Sequence, residues 1–170
     1  MVTWTIQPTP VDGAGIEEAI WEYATEVSRR VWGRQATEVE LRKAIADDPH
    51  SGLAPPHGVF LVARDHGGAV LGYAGVRLVA GLPAAAEAGL SATAEVKRLY
   101  VRPAGRGMGL GKELLRAAEV AARGLGAARV VLETNTQLTE ARAMYEALGY
   151  QETAPYNNHG AAQHWYAKTL

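Results

Sequence analysis

The sequence predicts a layered α/β domain, a mixed sheet with helices on both faces. Three observations predict it. Short runs of β-branched and aromatic residues interleave with longer stretches whose apolar residues recur at helical spacing. Read in order, these segments run β-α-α-β-β-β-α-β-α-β-β, which supplies seven strands. Near the middle, one strand passes through Gly105, Gly107, Gly109 and Gly111 straight into a helix. The 170 residues are enough for one domain with a sizeable core, so residues 1–170 read as a single unit.

The elements follow one by one. Thr3 to Gln7 alternates polar and apolar residues, with Trp4 and Ile6 on one face, and Pro8 and Pro10 close it as a first strand. Ile16, Ala19, Ile20, Tyr23, Val27 and Val31 make the apolar stripe of a helix from Ile16 to Trp32. Glu17, Glu18, Glu22 and Glu26 lie mostly off that stripe and read as a solvated face. Thr37 can cap a second helix reaching Ala46, with Val39, Leu41 and Ile45 as its contacts. Asp47 to His57, with Asp-Asp-Pro and Pro-Pro, is a loop.

Gly58 to Arg64 and Ala69 to Leu78 form two strands joined by a His66-Gly67-Gly68 hairpin turn. Ala80 to Ala92, rich in Ala and Gly, fits a loop or a short helix. From Glu95 the chain reads as a central strand through Val96, Leu99, Tyr100 and Val101, stopped by Pro103. After the glycines, Leu110, Leu114, Ala117, Ala118, Ala121 and Leu125 recur as one helix face. Arg129 to Glu133 is the next strand, with a Val-Val-Leu core. Thr139 can cap a helix from Glu140 to Leu148, ended by Gly149 as a left-handed residue. Tyr150 to Thr153 and Gln163 to Lys168 are the last strands, joined by a polar loop.

Composition excludes several classes. A net charge of −1 gives no bulk attraction to nucleic acid or to an anionic membrane. The absence of cysteine rules out disulfides, a catalytic thiol and thiolate metal sites. The five histidines show no ligand spacing, so no metal is expected. No apolar run approaches a membrane span, and the N-terminus lacks the pattern of a secretion signal, so a cytoplasmic protein is expected.

The glycine stretch is the chemical centre. The first-turn N–H groups of a helix have no partner within it, and its dipole favours negative charge there. Glycines let an anionic group approach those donors, which suggests a pyrophosphate cradle. The dinucleotide pattern fails, because its last glycine would fall on Leu110 or Lys112. The Walker pattern fails because Arg106 and Glu113 stand where it needs Gly and Ser or Thr. What fits is Arg106-Gly107-Met108-Gly109-Leu110-Gly111. It resembles the Gln/Arg-x-x-Gly-x-Gly/Ala signature by which GCN5-related N-acetyltransferases (GNAT) bind acetyl-CoA. Ala141 to Tyr150 is similar to the family's Ala-x-x-x-Tyr-x-x-x-Gly-Phe/Tyr segment. The element order agrees along nearly the whole chain.

The resemblance implies a mostly antiparallel seven-stranded sheet of the acyl-CoA N-acyltransferase kind. It implies acetyl-CoA as cosubstrate, with the amides from Gly107 to Lys112 on the pyrophosphate and the backbone of Leu99 and Val101 along the pantetheine arm. An amide of that strand would be the oxyanion donor. Many relatives carry Asn three residues before the matched Ala141. Leu138 stands there instead, and Asn135 either substitutes or is a plain turn residue.

Acetyl transfer to an amine needs a base, since an alkyl ammonium has a pKa of roughly 10. Glu95, eleven residues before Arg106, matches the catalytic glutamate of the histone-acetylating branch; its plain alternative is a strand-end carboxylate paired with Lys97 or Arg98. Tyr145 matches the tyrosine beside the CoA sulfur and would act as the acid, although it also lies on the stripe of Ala141, Met144 and Leu148. The acceptor is a small-molecule or protein amine. It would be shaped by residues 16–46, 80–92 and 155–165, with Tyr156, Asn157, Asn158, His159, His164 and Trp165 available to line it. Assembly into a homodimer stays open. The competing class is a non-catalytic acyl-CoA-binding or sensor domain.

Overall fold

Eleven helices and strands appear along the computed structural model, which describes residues 3–79 and 92–170. They are β1 (Trp4–Pro8), α1 (Ile16–Trp32), α2 (Glu38–Asp47), β2 (Gly58–Asp65), β3 (Val70–Val79), β4 (Thr93–Val101), α3 (Leu110–Gly124), β5 (Arg129–Thr134), α4 (Thr139–Ala147), β6 (Gln151–Thr153) and β7 (His164–Thr169). The expectation for Ala80 to Ala92 falls outside the described residues, except for Ala92 itself. Among the described residues, no helix is long and apolar enough to cross a membrane.

The strands form one sheet in the order β1-β2-β3-β4-β5-β7-β6. Among the described residues only β4 and β5 run parallel; every other neighbouring pair is antiparallel. The helices cover both faces because strand residues alternate in direction. Phe60 and Val62 of β2 face Ile16, Ala19 and Ile20 of α1, while Leu61 and Ala63 face Leu110, Leu114, Leu115 and Ala118 of α3.

Local signals explain most boundaries. Thr37 caps α2 through a reciprocal box: Glu40 N–H donates to its hydroxyl at 3.3 Å, and Glu40 accepts from Thr37 N–H at 2.8 Å. Gly149, at φ 86°, follows α4 in the left-handed region. Thr139 departs from its expected role. It is the first residue of α4, and Leu138 takes the cap position without a side-chain bond. The reason is a turn just upstream, in which Leu138 N–H donates to Asn135 O at 3.1 Å. Arg142 N–H then closes on Leu138 O at 3.2 Å, so the backbone begins the helix without a side-chain cap.

One departure from regular pairing creates the site. β4 and β5 pair only at Thr93–Arg129, Ala94–Val130 and Glu95–Val131. Beyond Glu95 each strand stays with its outer neighbour: β4 pairs with β3 as far as Val101, and β5 with β7 as far as Thr134. Opposite Tyr73–Gly75 the register slips, and Arg98 adopts φ 57°. Such a bulge bends its strand and sharpens the local twist. The sheet therefore parts at the carboxyl ends of its one parallel pair, where open α/β sheets bind ligands.

Candidate active site

The parted strands border a cavity of about 590 Å³. One wall is β4 from Val96 to Val101, whose inner edge has lost its β5 partner. The facing wall comes from Glu133, Thr134 and Asn135, then Leu138, Ala141, Met144 and Tyr145. α1 and the end of α2 cover it with Tyr23, Val27, Val31, Ile45 and Asp48. The cavity runs from Arg106 and Gly111 at one end to His159, Ala161 and Ala162 at the other.

At the cradle end, the helix signature takes a definite form. Gly107 and Gly109 have φ of 76° and 81°, and a Cβ at either would meet nothing within 4 Å. Glycine is needed there for its backbone, and the space beside it is open. Gly111 differs: a Cβ there meets Met144 Sδ at 3.3 Å and Val101 Cγ2 at 3.6 Å, so it sets the close approach of α3 to α4. Leu110 is 1% exposed, which leaves only its amide for a ligand. The first helical bonds run from Lys112 and Glu113 N–H to Gly109 O, at 3.1 and 3.3 Å. Leu110 and Gly111 are thus the orphan donors of the first turn, and the Lys112 amide is already engaged.

Arg106 turns away from the glycines. Its guanidinium donates to Val101 O at 3.0 Å and to Glu26 at 2.6 Å, and lies 5.8 Å from the Tyr100 ring centroid. The Tyr100 hydroxyl donates to the same Glu26 at 3.0 Å. Arg102 pairs with Glu22 at 2.6 Å and Glu18 at 3.1 Å. Glu17 and Glu18 are exposed as expected, whereas Glu22 and Glu26 are partly buried and tie α1 to the segment around the cradle.

The two halves of the expected catalytic pair sit differently. Tyr145 lines the cavity and is 6% exposed. Burial, with Tyr23 and Tyr166 nearby, pushes its phenol well above the ordinary range, so it stays protonated and able to donate. Its ring also packs with Tyr150 and Tyr166, so the core and cavity positions coincide. Glu95, only 1% exposed, lies where β4 and β5 make their last pair and is not among the residues lining the cavity. Its Oε2 accepts from Arg77 at 2.7 and 2.8 Å, and its Oε1 accepts from the Tyr156 hydroxyl at 3.0 Å. Its partner is Arg77 on β3, since Lys97 and Arg98 turn to Asp48 at 2.8 and 3.3 Å.

Glu133 was not singled out by sequence reasoning, yet it lines the cavity. The available signal was its place: a charged residue following a buried run at the carboxyl end of a strand. Burial raises its pKa above the usual glutamate value, and the Glu95 charge adds to this. A hydrogen bond from Asn157, His159 and the Lys97 charge act against the shift without cancelling it. Asn157 Nδ2 donates to Glu133 Oε2 at 2.6 Å, and His159 Nδ1 lies 2.8 Å from Oε1. Trp165 Nε1–H steadies Asn157 by donating to its Oδ1 at 3.0 Å.

Residues 154–163 therefore hold both carboxylates, the buried Glu95 and the partly buried Glu133, through Tyr156, Asn157 and His159. Asn135 anchors the same loop, its Nδ2 donating to Ala161 O. That engages the amide that one of the two readings of Asn135 would set in place of Leu138, which lines the cavity with an apolar side chain. His164 sits between Thr136 and Glu152, at 2.9 and 2.6 Å, outside the cavity lining. Tyr156, Asn157, Asn158 and Trp165 are not part of the lining either, so of the six residues expected there His159 alone lines the cavity.

A glycine-lined helix start beside a parted parallel pair offers free amides to an anionic ligand. Comparison with known proteins narrows this. The acetyltransferase (GNAT) family model matches residues 16–150. The chain belongs to the GNAT acetyltransferase family, a family of N-acetyltransferases. It is 37% identical over 109 residues to an uncharacterised N-acetyltransferase of Schizosaccharomyces pombe, over 64% of this chain and 61% of that one. It is 33% identical over 128 residues to the N-alpha-acetyltransferase RimI of Mycobacterium tuberculosis, over 72% of this chain and 74% of that one. The PaiA N-acetyltransferase of Thermoplasma acidophilum, solved in complex with coenzyme A, superposes with a TM-score of 0.69. That likeness covers 99% of both chains at 18% identity and concerns the fold.

Proposed function

We propose that this chain transfers the acetyl group of acetyl-CoA to a primary amine by direct attack. The observation that carries the proposal is the parting of β4 and β5 around a cavity lined from Gly111, at the helix start, to Glu133. In this reading the amides of Gly107, Met108, Gly109, Leu110 and Gly111 hold the pyrophosphate, with Lys112 and Arg106 adding positive charge. The unpaired edge of β4 at Leu99 and Val101 takes the pantetheine arm and supplies the oxyanion donor. Asn135 flanks that arm. Tyr145 donates to the departing thiolate.

The amine must lose a proton. Glu95 is the base that the family resemblance suggests, and its carboxylate is occupied by Arg77 and Tyr156. Glu133 lines the cavity with a raised proton affinity, and it is the base the geometry favours. Glu95 then acts from behind, its carboxylate charge raising the basicity of Glu133. An acceptor amine, small or on a protein, would enter between α1, α2 and residues 154–163.

The test is CoA release from acetyl-CoA across a panel of small amines and peptides with free N-termini or lysines. Turnover with at least one acceptor is expected. Tight acetyl-CoA binding by calorimetry, with no CoA release across the panel, would favour a sensor domain instead.

A further inference from the structure

We propose that His159 is the proton exit of this enzyme: it relays to solvent the proton that Glu133 takes from the acceptor. The proposal rests on Glu133 as base and adds a second residue to it. Glu133 is 13% exposed in its side chain, so a proton placed there needs a path out. Both of its oxygens are in contact with the loop at residues 154–163. Oε2 accepts from the Asn157 amide, which has no lone pair to take a proton. Oε1 faces His159 Nδ1 at 2.8 Å. The imidazole is 48% exposed in its side chain, and it also lines the cavity. It therefore touches the partly buried carboxylate with one nitrogen while the ring reaches solvent.

The proton balance is simple. The acceptor ammonium loses one N–H proton to the Glu133 carboxylate, and the bonding pair stays on nitrogen as the nucleophile. Protonated Glu133 passes that proton to the Nδ1 lone pair of neutral His159. The imidazolium, a donor at both nitrogens, releases one proton to water. Glu133 is again a carboxylate before the next acceptor arrives. The charges that act on Glu133 sit on β4, Glu95 and Lys97, and Glu133 in turn acts on the Tyr23 phenol of α1. Asp48 is paired with Lys97 and Arg98, and Glu95 with Arg77. Among these described groups, His159 is the one titratable partner bonded to Glu133.

Two measurements test the relay. The first needs no acceptor. The His159 ring nitrogen signals in NMR should move in Glu133→Gln, because the carboxylate oxygen 2.8 Å from Nδ1 is gone. Unmoved ring signals would overturn the pairing. The second uses an amine that gives CoA release in the panel above, followed in single turnovers across pH. His159→Gln should slow turnover roughly tenfold or more, with acetyl-CoA affinity unchanged. Added imidazole should restore part of the rate in His159→Ala. Asn157→Ser also cuts a loop tie to Glu133 but removes no titratable group, and imidazole should not help it. If His159→Gln turns over like wild type while Glu133→Gln is inactive, the relay is wrong and the base stands. If Glu133→Gln keeps full activity, the base reading fails with it. Equal losses in His159→Gln and Asn157→Ser, without imidazole rescue, would reduce His159 to a loop support.

Discussion

The two ends of the cavity are built in opposite ways. The cradle end is one continuous stretch of chain, and its donors are backbone amides freed by a helix start. The carboxylate end gathers side chains from β3, β4, β5 and the β6–β7 loop, and its properties come from burial and mutual charge. A cradle of amides is neutral to pH and tolerant of side-chain change wherever glycine is not required. A cluster of buried and partly buried carboxylates is sensitive to every neighbour. The ends should therefore fail differently: damage at the first removes binding, and damage at the second removes turnover while binding persists.

The largest effect should come from the cradle. Gly109→Val forces a β-branched residue into φ 81° and fills the space a pyrophosphate would occupy. Acetyl-CoA affinity by calorimetry should fall more than a hundredfold while circular dichroism still reports the folded sheet. Unchanged affinity would sever the glycines from CoA binding.

At the other end, Glu133→Gln should lower single-turnover rates by roughly a hundredfold or more, with acetyl-CoA affinity intact. The base works only when ionised, so log kcat/KM should rise with pH and level off above the pKa of Glu133. Because burial raises that pKa, the limb should lie above the ordinary glutamate value of about 4.3. Glu95→Gln removes a negative neighbour that raises the pKa, so the limb should move to lower pH and survive. If Glu95→Gln instead abolishes the limb and Glu133→Gln spares it, the two carboxylates exchange roles.

Tyr145→Phe lies between the two ends. It should cost roughly tenfold to a hundredfold in single-turnover rate and little in acetyl-CoA binding, because a donor to the leaving thiolate matters mainly after attack begins. Wild-type rates would confine Tyr145 to packing. The smallest expected effect is at Glu26, which holds both Arg106 and the Tyr100 hydroxyl. Glu26→Gln frees the guanidinium for an incoming anion and should tighten acetyl-CoA binding a few-fold, less so at high salt. Weaker binding would show that Glu26 positions Arg106 for the ligand.

What could be read before folding follows the same division. The glycine run, the helix stripe from Leu110 and the Ala141–Tyr150 segment are local, so their spacing carries their meaning. The capping box at Thr37 and the left-handed Gly149 were legible for the same reason. The cap assigned to Thr139 was not, because the turn at Asn135 begins the helix one residue earlier. Glu22 and Glu26 of α1 looked solvated because their partners, Arg102 and Arg106, are about eighty residues away.

The layered class, the element order, the glycine run at a helix start and the helix that carries Tyr145 could be read from residue order alone. These depend on backbone conformation and short-range periodicity, which neighbouring residues set. The tertiary structure alone decided where the sheet parts, because that depends on which neighbour each strand keeps. It also decided that Glu95 faces Arg77 and Tyr156 while Glu133 faces the cavity and His159. A carboxylate's proton affinity is set by the water removed from it and the charges brought near it, and both belong to the assembled fold.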